Sequence, residues 1–366
     1  MKETMSVKER WISALKMKET DRIPVWAKLG SSYPKYQQDQ FRTTSIAGLQ
    51  QYVGSDRHEW ITSSGKLSFS NGTGIEKQNN NGEITIKYIT KYGSCINQRK
   101  IDPATESMHP MDMCIKTVED IKIMTEWYQN CEVVFDPEAN EKAKARYREY
   151  KEDAVVSEVV AETPFMYYLE YLTGIAEGHM LLADYEEEVE ALFKAEDKWC
   201  QSAVRTAVEY SPADILYIEE NTSTTILSPT QFRTYCMPYL DQYTRMMQEE
   251  GKLVAYHMCG HLKLLLADLN KLPNQAQEAF TPPPFGAATL VEGRAACPMK
   301  CFIGGCGAGQ WMADDAKEII AYIDEQLSQL PHHRGIVLTS AGVMPPTCSP
   351  ETIKEVFDWV KKYPNL

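Results

Sequence analysis

Basic residues are in short supply. The chain of 366 residues carries 38 Lys and Arg against 51 Asp and Glu, a formal net charge of -13 with a pI near 5.2. Such a surface repels phosphate backbones and anionic lipid, which argues against nucleic acid and membrane as partners. Long apolar runs are missing too, so no stretch reads as a bilayer-spanning helix. The first residues, Met1 to Trp11, are charged and lack the apolar segment of a secretory signal. A cytoplasmic location with reduced cysteines is therefore expected. No GxGxxG opens a helix after an early strand, and the run Gly305 to Gly309 does not have that spacing. This weighs against a dinucleotide-binding fold.

Cysteine, by contrast, is plentiful and unevenly placed. Of ten, Cys259, Cys297, Cys301 and Cys306 fall close together, with Cys348 following. In a reducing compartment such clustering points to metal binding or reactivity more than to disulfides. The stretch Val254-Ala-Tyr-His-Met-Cys-Gly260 is the centre of this region. Residues i and i+2 of a strand share a face, so His257 and Cys259 project together from a strand end. An imidazole and a thiolate side by side are half of a zinc site. Read alone, the pair also suits a hydrogen-bonded core histidine with a small buried cysteine.

From residue 154 onward, apolar strand-like runs alternate with amphipathic segments. Strands are read at 154–161, 214–218, 253–257, 301–304 and 335–339. Helices are read at 165–173, 185–210, 228–250, 261–272, 314–330 and 350–362. Earlier, 6–18 reads as a helix, 21–26 as a turn into a first strand, and 56–62 as a second strand. The segments 117–129 and 137–153 read as helices, and 281–292 as loop. Alternating strands and helices without a linker predict a parallel sheet. At this length a single (β/α)8 barrel over 1–366 is the economical reading, with a doubly wound open sheet as the alternative. Residues 66–100 differ: period-two alternation around Asn71-Gly72 and Asn81-Gly82 predicts β-hairpins inserted into the main architecture.

In such a barrel the chemistry lies where strands end. The strand at 214–218 delivers Glu219 or Glu220, the next His257 and Cys259, and the glycine-rich loop after 304 delivers Cys306. Cys348, beyond Pro345-Pro346, competes with Cys306 as a further ligand. A carboxylate, an imidazole and two thiolates would suit Zn2+. Each has a plainer reading: the acidic pair as solvated, Cys297 and Cys301 as core. Tyr33, Tyr36 and Trp26 are candidates for a small apolar pocket, or for core.

Several segments resemble the uroporphyrinogen decarboxylase superfamily, and within it the corrinoid-dependent methyltransferases. They are Glu9-Arg10-Trp11 to Asp21-Arg22-Ile23-Pro24-Val25; Leu227-Ser228-Pro229 with Phe232, Tyr235 and Pro238-Tyr239; His257-Met258-Cys259-Gly260; Ile303-Gly304-Gly305; and Pro345-Pro346 with Ser349-Pro350-Glu351. The resemblance implies a (β/α)8 barrel. It also implies zinc held by a His-x-Cys motif, and methyl transfer between a small methylated compound or thiol and the cobalt of a partner corrinoid protein. His257 and Glu220 are the candidate catalytic residues. Two departures matter. The decarboxylase's arginine-rich motif after the first strand is replaced by Val25-Trp26-Ala27-Lys28-Leu29-Gly30, which lacks the cations for a porphyrin's carboxylates. The final-loop Cys-Gly of thiol-acting members is replaced by Ser340-Ala341-Gly342. A metal-independent decarboxylase-type enzyme acting on a small carboxylated substrate is the alternative function.

Overall fold

A computed structural model describes residues 3–104 and 106–364. Eight parallel strands form the barrel: β1 (Val25–Trp26), β2 (Arg57–Trp60), β3 (Ala154–Ala161), β4 (Ile215–Glu219), β5 (Leu253–His257), β6 (Ala276–Phe280), β7 (Cys301–Gly305) and β8 (Ile336–Thr339). Their order is β1-β8-β7-β6-β5-β4-β3-β2. The strand–helix alternation thus delivers the expected α/β barrel. The sheet's two ends, β1 and β2, meet without a regular ladder. Asp56 joins them: its N–H donates to the Val25 carbonyl at 2.7 Å, and its carboxylate accepts from the Val25 N–H at 2.9 Å. The same carboxylate takes Arg10 at 2.7 Å and Arg22 at 2.6 Å.

The helix Val7–Leu15 forms because Ser6 and Glu9 make a reciprocal capping box and the face carrying Trp11, Ala14 and Leu15 is apolar. That face closes one end of the barrel. Trp11 and Leu15 pack with Trp26, Val155, Ile215, Tyr217, Ala255, Ala276, Cys301, Ile303 and Val337, which are the inward-pointing residues of the strands. The opposite faces of the strands bury against the helices in two larger apolar clusters. The open end, where strands run out into loops, is left for chemistry.

The structure differs from the sequence reading in several places, among them the loop read at 281–292, whose end opens the helix Leu290–Ala296. Strand β6 falls in the segment 273–280, to which the sequence reading assigns no element; Gln277 and Glu278 interrupt its apolar pattern, and all five residues are buried. The 261–272 helix shrinks to a short 3₁₀ turn and one α-turn, Lys263–Leu265 and Leu266–Leu269. Ile175–Asp184 is a helix of its own. The β excursion exceeds 66–100: strands Gly74–Asn80, Glu83–Thr90, Gly93–Ile101 and Met108–Asp112 form one antiparallel sheet, while Gly65–Phe69 pairs with Cys131–Phe135. No helix among the described residues is long and apolar enough to cross a membrane.

Candidate active site

The carboxyl ends of β4, β5 and β6 lie level. Glu219 is in register with His257, and His257 with Glu278. Glu278 is fully buried, and its two oxygens are both committed: Oε1 to Lys28 Nζ at 2.8 Å, Oε2 to His257 Nδ1 in a short contact. Lys28 comes from the loop after β1 and also lies over the Trp26 ring, 5.4 Å from its centroid. Burial opposes charge on Glu278, but Lys28 and His257 outweigh it and hold the carboxyl down at about 2. Burial likewise opposes the imidazolium of His257, and Glu278 overrides it, raising His257 to about 10. The result is a cation–anion–cation row with one imidazole nitrogen pinned inward.

Cys259, two residues on, is exposed and touches His257. Its Sγ lies 3.7 Å from Asn221 Oδ1, and Asn221 Nδ2 donates to Glu170 Oε2 at 3.1 Å. Local backbone effort goes into this contact. Asn221 has φ 49°, in the left-handed region, and Glu170 rides on a π-helical turn, Tyr168–Thr173. Gly260 is required by close approach: a Cβ there would stand 2.3 Å from the Ser223 Cβ and 2.6 Å from the Thr222 carbonyl. In β6, the register shifts between Glu278 and Phe280, with Ala279 at φ 59°, a bulge immediately after the buried carboxylate.

Further carboxylates gather on the β3 and β4 side. Burial and the charges of Glu170, Glu220 and Glu219 push Glu162 well up, and burial raises Glu170 to about 7. The two aromatic rings Tyr167 and Tyr171 sit beside them, centroids 4.9 Å apart. The inserted sheet braces this wall: Asn97 Nδ2 donates to the Tyr171 carbonyl at 2.5 Å, and Arg99 stacks on the Tyr171 ring at 4.9 Å.

With this geometry in hand, comparison with known proteins identifies the lineage. Residues 141–363 match the family described as Uroporphyrinogen decarboxylase (URO-D). The chain belongs to the uroporphyrinogen decarboxylase family. No curated protein matches the sequence. Among solved structures, this URO-D family chain is similar to a methyltransferase from Methanosarcina mazei, at 12% identity over 98% of both chains with a TM-score of 0.60. It is also similar to a putative vitamin-B12 independent methionine synthase from Listeria monocytogenes, at 12% identity over 92% of this chain and 93% of that one, with a TM-score of 0.43. The first likeness is one of fold, and the second is too distant to support an argument.

The sequence-predicted residues separate into two groups. His257, Cys259 and Glu219 stand at the open mouth of this URO-D barrel. Glu220 lies behind it, fully buried, with Thr163 N–H at 3.1 Å, Thr163 Oγ1 at 2.9 Å and Thr222 Oγ1 at 3.2 Å. Burial, against those hydrogen bonds, raises it to about 7. Cys306 and Cys348 are fully buried in the apolar layer that holds Val25, Tyr33, Trp311 and Phe357. The Cys306 carbonyl accepts from Trp311 Nε1 at 3.0 Å, and the Cys348 carbonyl from the Tyr33 hydroxyl at 2.5 Å. Tyr33 is thereby core, as is Trp26, while Tyr36 is half exposed. Among the described residues no three His, Cys, Asp or Glu side chains are grouped to hold a metal ion. His257 and Cys259 supply an imidazole and a thiol, but a four-ligand zinc site is not assembled from these residues as they stand. Glu278, Lys28, Glu162 and Glu170 were not read as functional from sequence; the signal for Glu278 was a charged residue in a gap where an eighth strand was due.

Proposed function

We propose that this URO-D family chain is a methyltransferase, moving a methyl group between a small methylated compound or thiol and the cobalt of a separate corrinoid protein. The observation that carries the reading is the exposed Cys259 thiol beside His257, whose ring is pinned by the buried Glu278–Lys28 pair at the open barrel mouth. The family and the barrel fold support it. In this reading the methyl group moves as CH3+: an onium centre is left as a neutral amine or thioether, whereas the heteroatom of a neutral donor is left with a negative charge unless it accepts a proton. For a neutral donor, His257, held as imidazolium by Glu278, is the proton source at that atom. Cys259 and Asn221 line the approach. When a thiol is the acceptor, the same imidazole stabilises the thiolate that attacks. Since the residues present complete only half of a zinc site, no step here runs through a metal. Partner docking at an open mouth requires no lid, and Trp60 at the end of β2 is 41% exposed there. The metal-independent decarboxylase alternative is less well supported, because the mouth gathers carboxylates and commits its Lys28 to Glu278.

The test is a transfer assay. Free cob(I)alamin with methylated amines, ethers and thioethers, and methylcobalamin with thiols, are followed by the cobalt absorption spectrum. Wild type is expected to turn over at least one donor or acceptor, and His257→Ala and Cys259→Ala to lose about 100-fold or more. Absence of transfer with every compound, on free cobalamin and on corrinoid proteins alike, would overturn the proposal.

A further inference from the structure

Resting on the methyltransferase reading, we infer that the substrate taken at this mouth is a small organic cation, a methylated ammonium or sulfonium compound. The first observation is charge. Glu162 just past β3, Glu170 on the following π-turn and Glu219 at the end of β4 lie close enough to feel one another's charge. Each of Glu162 and Glu170 is partly open yet keeps an Oε1 atom shut from solvent with no hydrogen-bond partner among the described residues. The nearby cations do not neutralise them: Lys28 and the His257 ring are bonded to Glu278, and Arg99 stacks on Tyr171. Carboxyl groups crowded without a counter-ion are held back from ionising, and a cation entering between them would restore their charge.

The second observation is at the floor of the mouth and is independent of the acidic cluster. Tyr217 lies two residues before Glu219 on the inward face of β4, one layer deeper. It is 1% exposed, stands edge-on to Trp60 with centroids 4.8 Å apart, and is close enough to Glu278 to feel its charge. Its hydroxyl has no partner among the described residues. A buried phenol oxygen left unsatisfied is costly unless a ligand or water answers it.

The third is shape. A metal ion would need three ligands drawn to one point, and no such group exists among the described residues. The carboxyl groups are spread instead beside the paired rings of Tyr167 and Tyr171, and the partly exposed Trp60 ring stands against Tyr217. Diffuse negative charge with aromatic faces is how proteins hold alkylated onium ions, whose charge is itself spread over methyl groups. The same features disfavour a carboxylated or phosphorylated substrate.

Binding tests this apart from turnover, so failure of the methyltransferase reading leaves it standing or falling on its own. Tetramethylammonium, tert-butanol and pivalate have nearly the same shape and carry positive, no and negative charge. Calorimetric titration of each into the full chain at matched ionic strength is expected to show binding of tetramethylammonium alone. Glu170→Gln and Glu162→Gln are expected each to weaken it about tenfold or more, with melting temperature measured to confirm folding. Glu209→Gln, a surface change on another face, is expected to leave it unaltered. Equal binding of tert-butanol, preference for pivalate, no binding of any probe, or displacement of tetramethylammonium by equimolar Mg2+ would each overturn the inference. So would a folded Glu170→Gln variant that binds tetramethylammonium as wild type does.

Discussion

A single fully buried carboxylate organises the mouth. Glu278 bonds Lys28 on one side and His257 on the other, and neither Coulombic partner is available from local sequence: one is contributed by the β1 loop and the other by β5. The pH consequences have opposite signs. His257 is raised from 6.5 to about 10, so its contribution to stability is complete below 6.5 and is lost as pH rises through 10. Glu278 is lowered from 4.5 to about 2, so its contribution is complete above 4.5 and is lost as pH falls through 2. Glu278→Gln should therefore destabilise the protein most between pH 4.5 and 6.5. The deficit relative to wild type should shrink as pH climbs toward 10. Denaturant melts of both proteins across pH check this, and a deficit independent of pH would show that the pair contributes by packing and not by charge. At this scale the sequence pointed correctly to His257 and Cys259 as neighbours, because strand periodicity is a local property. It could not identify Glu278, whose meaning depends on what stands beside it.

Irregular elements do the positioning. The π-turn Tyr168–Thr173 aims Glu170 at Asn221, the bulge at Ala279 follows Glu278, and the short β1 leaves barrel closure to side chains. That closure is a buried ion cluster: Asp56 is 1% exposed and neutralises Arg10 and Arg22, which are 0% and 5% exposed. Removing Asp56 leaves Arg10 to Asp21 and Glu3, and leaves Arg22 to the half-exposed Glu3 alone, so Asp56→Ala is expected to cost about 3 kcal/mol. Urea unfolding measures it; a loss below about 1 kcal/mol would mean that the β1–β2 seam is held by other contacts. Regular elements were legible where capping and periodicity coincide, as in the helix Val7–Leu15 with its Ser6–Glu9 box. Strand β6 was not legible, because a strand carrying buried polar residues loses the apolar pattern by which strands are read.

Across the whole molecule, position in the barrel decides which cysteines reach the mouth. Cys259 leaves β5 at the open end, whereas Cys306 and Cys348 turn into the layer between β7, β8 and their helices. Supplied with Zn2+, Cys306→Ala and Cys348→Ala are expected to hold as much metal as wild type, and His257→Ala and Cys259→Ala to hold less; metal per chain after gel filtration is the readout. Loss of metal in Cys306→Ala would mean that this cysteine leaves the core to act as a ligand. The sequence by itself determined the alternating strand–helix architecture, the anionic surface, the inserted β sheet and the His257–Cys259 pair. Each of these follows from composition or from a period of a few residues. Only the tertiary structure decided that Lys28, Glu278 and His257 form one row, that Glu162, Glu170 and Glu219 crowd a common hollow, and that Cys306 lies in the core. Those facts are set by strand register and by which side of a closing barrel each loop turns to, and both depend on packing between segments far apart in the chain.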